Sequence, residues 1–401
     1  MMVLDYIIVG SGISGLYSGY KIIKKNKNKN ILILEAKKKK WVGGRMSNYD
    51  FYGVSVVTGA GIGRKDKDKN LIRLLKALDI PYSEFTYQFK FANTLPEEKR
   101  VDILDVIDFL KKKLKSKSAK NNCLTFKQFA EPILGKKEYQ AFLDSQPYTD
   151  FENEDAYETL YNYEMDDNLG GWTGMKVPWK RLVETLASRL PILFGHPVVG
   201  ITPVDYCGFL VYTGNEKVYA TKNVIIATTA STYRKLLPSF KIYEHVRGQP
   251  FLRLYGKFSG CSADIMRVAV NISVIVPTQL KRIIPIDHDK GVYMIAYCDN
   301  DNARFFKEKL ENNNTNREYY CRLIEESLGL PHDCLRLTAI KDFYWPIATH
   351  YFTPLCGEYK NREEFLEEAQ HPMPGMLVVG EALSLNQGWT RGALESVDAV
   401  I

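Results

Sequence analysis

The segment Asp5-Tyr6-Ile7-Ile8-Val9-Gly10-Ser11-Gly12-Ile13-Ser14-Gly15, followed by Ile31-Leu32-Ile33-Leu34-Glu35, decides the fold. Its apolar run, Tyr6 to Val9, reads as a short buried strand. An apolar helical stretch, Leu16 to Ile23, and a polar linker, Lys24 to Asn30, separate it from the second run. Parallel strands need such a crossover and bury both faces against it, so the unit reads as βαβ. Gly10, Gly12 and Gly15 fit Gly-x-Gly-x-x-Gly, with Glu35 lying 20 residues beyond Gly15. The first glycine permits the tight turn, the second lets backbone approach a pyrophosphate, and the third lets helix pack on strand. The helix N-terminus, with Ser11, Ile13 and Ser14 in the loop, turns unpaired N–H groups toward the phosphates. Glu35, followed by Ala36, accepts hydrogen bonds from the ribose hydroxyls of an adenosine. The loop alone does not separate FAD from NAD.

Strands of the same character recur far along the chain. Lys217 to Thr228 ends in one, and Met376 to Gly380 is another. Between them, residues 62–168 read as mainly helical, with amphipathic stretches at Leu71 to Leu78 and Val101 to Leu114. Residues 240–365 alternate strand-like runs (Val268 to Val276, Gly291 to Tyr297) with one charged helix, roughly Asn316 to Leu328. The expected class is α/β. A Rossmann-like nucleotide-binding domain, discontinuous in sequence (1–61, 169–240 and 366–401), is joined by an α+β substrate-binding domain (62–168 and 241–365). The latter carries a mixed or antiparallel sheet and helices.

Composition sets the outer bounds. The 401 residues are 45% hydrophobic and 25% charged, which excludes a disordered or fibrous chain. The net charge of +7 is concentrated in Lys24 to Lys29, Lys37 to Lys40 and Lys111 to Lys120. Such runs read as solvated turns and helix faces, and no aromatic interleaving points to nucleic acid. No apolar run of about 18 residues is present, so no membrane-spanning helix is expected. The seven cysteines are dispersed without a Cys-x-x-Cys pair. They predict a cytoplasmic or other reducing compartment, with neither a disulfide framework nor a zinc site. Six scattered histidines show no ligand spacing, so no metal centre is expected.

Three further segments narrow the function: Gly43-Gly44-Arg45, Gly380-Glu381, and Gly388-Trp389-Thr390-Arg391-Gly392-Ala393. With them the sequence resembles the flavin-containing amine oxidase family, which includes monoamine oxidases, polyamine oxidases and flavin histone demethylases. The resemblance implies non-covalent FAD as cofactor. It places Arg45 along the FAD phosphates and ribityl chain beside Gly43 and Gly44, and passes Gly59-Ala60-Gly61 beside the isoalloxazine. It gives the Val198 backbone to adenine, Glu381 to the ribityl or phosphate region, and Gly392-Ala393, opening the helix, to the pyrimidine ring, with Trp389 and Thr390 also among the cofactor-binding residues. Gly170-Gly171-Trp172 is similar to the glycine pair on the return to the FAD domain. His350 stands where monoamine oxidases carry the cysteine that bonds FAD, with a histidyl link as the minor alternative.

On the reacting face, the resemblance makes Trp389 and Tyr351 the two aromatic walls of a substrate cage. The family lysine behind flavin N5 is replaced, in this register, by Arg253. Phe251, Arg253, Tyr255 and Lys257 are expected to share one strand face by period-two alternation, with Lys257 further along. A guanidinium stays protonated and favours flat, bidentate anion contacts, so Arg253 is a candidate to hold a water, stabilise reduced flavin or bind a substrate carboxylate. The reading is an FAD-dependent amine oxidase passing hydride to flavin N5, with O2 as acceptor and H2O2 as product. The alternatives are a desaturase or protoporphyrinogen-oxidase-like enzyme, or a flavin-binding protein without turnover. The substrate is a small molecule, the expected protein is soluble without a membrane anchor, and monomer and homodimer both stay open.

Overall fold

The computed structural model describes residues 3–115, 123–205 and 208–401. Cys207 and the basic run beyond residue 115 lie outside the described residues. The opening unit forms as its pattern requires: β1 is Val3–Val9, α1 is Ile13–Lys25 and β2 is Ile31–Glu35. Ile7, Ile8 and Val9 are all buried, as befits a strand covered on both faces. The helix buries Ile13, Leu16 and Ile22 and ends in Lys24 and Lys25, whose charges suit the negative end of its dipole.

Among the described residues two large sheets carry the fold. In the first, of seven strands, β1 pairs in parallel with β2 on one side and Val218–Ile226 on the other. Ile192–Phe194 extends it in parallel beyond β2. The strand Val218–Ile226 uses its outer edge twice. Its first half pairs antiparallel with Gly208–Thr213 and its second half parallel with Met376–Val378. Segments from the start, middle and end of the chain thus close one sheet.

The second sheet has six strands, dominated by two long antiparallel ones, Val246–Phe258 and Leu337–Phe352. Val292–Asp299 and Arg282–Asp287 continue it antiparallel, then Ser273–Ile275, and Phe89–Phe91 closes the edge in parallel. A separate apolar cluster sits under each sheet, with a third formed by the helices Ile103–Lys115, Phe126–Leu134 and Lys136–Asp144. The mixed α/β architecture expected from sequence is therefore present. The charged helix is Asn314–Leu328, close to its expected limits.

Two expectations are corrected. Val268 to Val276 is not one strand: Val268 and Ala269 end a helix, Cys261–Ala269, and only Ser273–Ile275 is strand. A short apolar run fits either period, and here the helix buries Ser262 and Met266 on one side. The cysteines are also not all unpaired, because Cys123 and Cys356 form a disulfide across 233 residues of sequence. No local spacing announces a pair brought together only by the fold. Among the described residues, no helix is long and apolar enough to cross a membrane.

Candidate active site

The two sheets face a shared cavity of about 1650 Å³. Compact small-molecule pockets run to roughly 1,000 Å³, so this one has room for an extended coenzyme and a second molecule. Its floor is backbone. At Gly10, φ is +103° and an added Cβ would lie 2.6 Å from the carbonyl oxygen of Ala227. At Gly15 an added Cβ would lie 2.0 Å from the carbonyl oxygen of Gly10. Both glycines are therefore required by the protein itself. Gly12 differs, for a Cβ there meets nothing within 4 Å and the residue lines the cavity. Its smallness leaves space that no protein atom uses.

A second glycine turn lies alongside. Gly12 and Gly43 form a parallel bridge, and the Gly43 N–H donates to the Ser11 carbonyl at 2.9 Å. The α1 N-terminus, capped by Gly12 without any side-chain bond, opens between the two turns. Its free N–H groups suit an anion. Glu35 lines the cavity and accepts from Ser11 N, Ser11 Oγ and Lys37 N at 2.7–2.8 Å. A carboxylate offers about four acceptor sites, so one remains for a hydroxyl.

Of the other residues singled out, Ile13, Ser14, Ala36, Gly44, Val198, Gly380, Thr390 and Ala393 line the same cavity, as do Gly59, Ala60 and Gly61. Ser11 and Gly15 stand behind its wall. Lys257 lies away from it, its ammonium donating to the carbonyls of Phe258 and Lys290. Arg253 faces the cavity, 7% exposed, with Nε donating to the Gly59 carbonyl at 2.9 Å. The strand pairing shifts register between Leu254 and Tyr255, so simple alternation does not carry Lys257 to the same place.

Glu381 is the hub of the buried polar network. One oxygen accepts from the backbone N–H groups of His350 (3.0 Å) and Gly388 (2.8 Å). The other accepts from His350 Nδ1 at 2.7 Å and faces Arg45 at 3.3 Å. Burial opposes its ionisation, but the His350 and Arg45 partners and the Gly388 N–H outweigh it and hold the carboxyl well below its usual range. His350 Nε2 accepts from the Ala230 N–H, which leaves the ring proton on Nδ1 for Glu381. Both ring nitrogens are thereby engaged.

Trp389 and Tyr351 both line the cavity, but no ring contact joins them among the described residues. The Arg64 guanidinium stacks 3.9 Å from the Trp389 ring centroid and is itself ion-paired with Asp68 and Glu164. One face of Trp389 is thus already covered by a cation.

The residues that sequence reasoning missed line the far wall: Tyr87, Tyr148, Asp150, Arg282 and Tyr297. Tyr148 and Tyr297 meet edge to face at 5.4 Å, and Tyr87 packs on Trp172 at 4.7 Å. Asp150 hydrogen-bonds the Tyr163 hydroxyl, and burial pushes its carboxyl up to about 6. The available signal was cross-strand register, which sets Arg253 directly opposite Tyr297.

The residues present suit a flavin dinucleotide. The space over Gly12, the free N–H groups of the α1 N-terminus and the acceptor left on Glu35 are the features that fit it.

Residues 8–78 match the NAD(P)-binding Rossmann-like domain. No curated protein matches the chain. Among solved structures the chain is similar to wild-type putrescine oxidase bound to putrescine, at 12% identity and a TM-score of 0.76, covering 99% of this chain and 98% of that one. A double mutant and a triple mutant of putrescine oxidase, made to redesign cofactor binding, match at 14% and 13% identity with TM-scores of 0.76 and 0.74. They cover 99% of this chain and 98% and 97% of theirs. The resemblance to flavin-containing amine oxidases read in the sequence thus holds at the level of the fold: a Rossmann-like dinucleotide-binding segment within the whole-chain architecture of putrescine oxidase.

Proposed function

We propose that the protein is an FAD-dependent oxidoreductase that oxidises an amine, with O2 as electron acceptor and H2O2 as product. The observation that carries this reading is the double glycine floor under a cavity too large for substrate alone. When bound, FAD supplies a two-electron acceptor for hydride. The chain's own residues hold and orient it. The α1 N-terminus and Gly12 take the diphosphate, Glu35 the adenosine ribose, Val198 the adenine, and Arg45 with Glu381 the ribityl and phosphate region. Residues 1–61, 169–240 and 366–401 form this coenzyme-binding unit, and 62–168 with 241–365 form the substrate unit. The engagement of both His350 nitrogens supports non-covalent binding.

On the substrate side, the tyrosines and Phe251 exclude water and fix the amine by its apolar flanks. Arg253, lying against Gly59, supplies a fixed positive charge beside the reacting groups, where it steadies negative charge that develops there.

Purified protein should be yellow and release FAD on denaturation. Anaerobic mixing with a panel of amines should bleach the flavin, and readmitted oxygen should yield hydrogen peroxide. A protein that is colourless and takes up no FAD on refolding refutes the reading. One that stays yellow against every amine favours a flavin-binding protein without turnover, a reading to which Arg253 in the lysine's place lends support.

A further inference from the structure

Two buried arginines of the cavity wall keep guanidinium donors that no protein oxygen takes up among the described residues. Arg282 is 5% and Arg253 7% exposed, and both line the cavity. Arg282 Nε donates to Ser273 Oγ at 2.7 Å and its Nη1 to the Tyr148 hydroxyl at 3.3 Å. Its Nη2 has no hydrogen-bond partner among the described residues. Arg253 spends Nε on the Gly59 carbonyl and one terminal nitrogen on the Tyr297 hydroxyl at 2.9 Å. Its other terminal nitrogen meets only the Met294 sulfur at 3.8 Å. Neither arginine is ion-paired with a carboxylate among the described residues.

The two guanidinium groups flank one ring. The Arg253 carbon lies 4.2 Å and the Arg282 carbon 5.9 Å from the Tyr297 centroid, and Arg282 also stacks on Tyr87 at 4.8 Å. Burying one guanidinium without a counter-anion is costly, and two near one another add mutual repulsion. The acids of the same cavity are committed elsewhere. Asp150 bonds Tyr163, Glu154 bonds Thr159, Glu158 bonds Arg362 and Asn162, and Glu164 bonds Arg64. With no carboxylate of the described residues paired to either guanidinium, an anion from outside the chain would complete the site.

We propose that Arg253 and Arg282 together hold a substrate carboxylate, so that the molecule oxidised is an amino acid rather than a simple amine or polyamine. This rests on the amine-oxidising reading above and names its substrate class. A guanidinium presents parallel donors that match a carboxylate, and the fixed aromatic stacking keeps both forks in place. A dication such as putrescine, the ligand of the structural relative, would be repelled by the same pair. For an α-amino acid the reaction balances as amino acid, O2 and water giving 2-oxo acid, ammonium and hydrogen peroxide. The C–H bond beside the amine breaks, a C=N bond forms and is hydrolysed, and the two electrons end on oxygen.

The test uses the flavin-loaded protein with substrate pairs that differ only in the carboxylate: ornithine and putrescine, phenylalanine and 2-phenylethylamine, 4-aminobutyrate and propylamine. In at least one pair the acid should reduce the flavin at least tenfold more efficiently than its partner. Arg282→Met should abolish that preference, through a loss of at least tenfold in reduction by the acid. Should that variant not fold, Arg282→Gln, which keeps a donor for Ser273, reads the same loss. Calorimetric titration with 3-phenylpropanoate, a carboxylate without an amine, should show saturable binding that weakens at least tenfold in the Arg282 variant. Equal or faster reduction by the decarboxylated member of every pair overturns the proposal. Arg282-dependent carboxylate binding without any flavin reduction keeps the anion site and removes the amine-oxidising reading. Neither binding nor reduction removes both.

Discussion

Gly10 and Gly12 sit in a single turn of chain, whereas Arg253, Arg282 and Tyr297 come from three different strands, yet all face the same cavity. The wall proposed for the coenzyme is defined by what it lacks. Its residues are small, which leaves backbone N–H groups open to the cavity, and their spacing is dictated by one turn between strand and helix. The wall proposed for the substrate is defined by what it carries: large side chains fixed by stacking and cross-strand pairing. Recognition by backbone is written in local spacing, while recognition by side chains is written in sheet register.

The contrast can be broken most sharply within the glycine loop itself. Gly15→Ala drives a methyl into the Gly10 carbonyl and should cost about 3 kcal/mol, enough to prevent folding or lower Tm severely. Gly12→Ala meets no protein atom, so its Tm without coenzyme should match wild type while FAD affinity falls roughly tenfold or more. If both variants lose stability equally, the loop has no position reserved for a ligand.

Glu381→Gln comes next, since it removes the anion that ties Arg45, His350 and Gly388 together. A loss of about 2 kcal/mol at pH 7 is expected in denaturant titration. The folded-state carboxyl is held below its unfolded value, so its stabilisation is present above the ordinary carboxylate range and lost as pH falls. The deficit of the variant should therefore narrow below about pH 4.5. A deficit that stays constant down to acid pH removes the electrostatic account of the hub.

The smallest effect concerns Asp299, which lies deep behind the substrate wall and accepts from Thr149 N and Oγ. Burial and the nearby Asp150 push its carboxyl up to about 7. The folded chain then binds this proton more tightly than the unfolded chain, so stability falls as pH rises from about 4 to 7. Asp299→Asn should flatten that fall, leaving a difference of about 2–4 °C in the change of Tm between pH 5 and 8. Parallel Tm profiles for the two proteins would dismiss it.

The same contrast explains what the sequence made legible. The β1–α1–β2 unit, the strand at Met376 and the glycine turns could be read because apolar runs and glycine spacings are local. Tyr148, Asp150 and Arg282 could not, for each lies in a segment whose own pattern reports only burial. Arg253 was legible because the family resemblance sets it at the lysine position, but its neighbours on the wall depend on pairing to Val292–Asp299. Val268 failed because a short apolar run fits helix and strand alike.

The bond between Cys123 and Cys356 fastens the helical insertion to the sheet that walls the cavity. It holds two Cα atoms 4.6 Å apart, one just before the helix Phe126–Leu134 and one in the turn after Leu337–Phe352, the strand that bears His350 and Tyr351. By loop closure over 233 residues it contributes at most about 5 kcal/mol. Its mechanical effect is more specific. The helical insertion is tied at that corner to the strand that carries two of the cavity's side chains, a tether that reduction would cut.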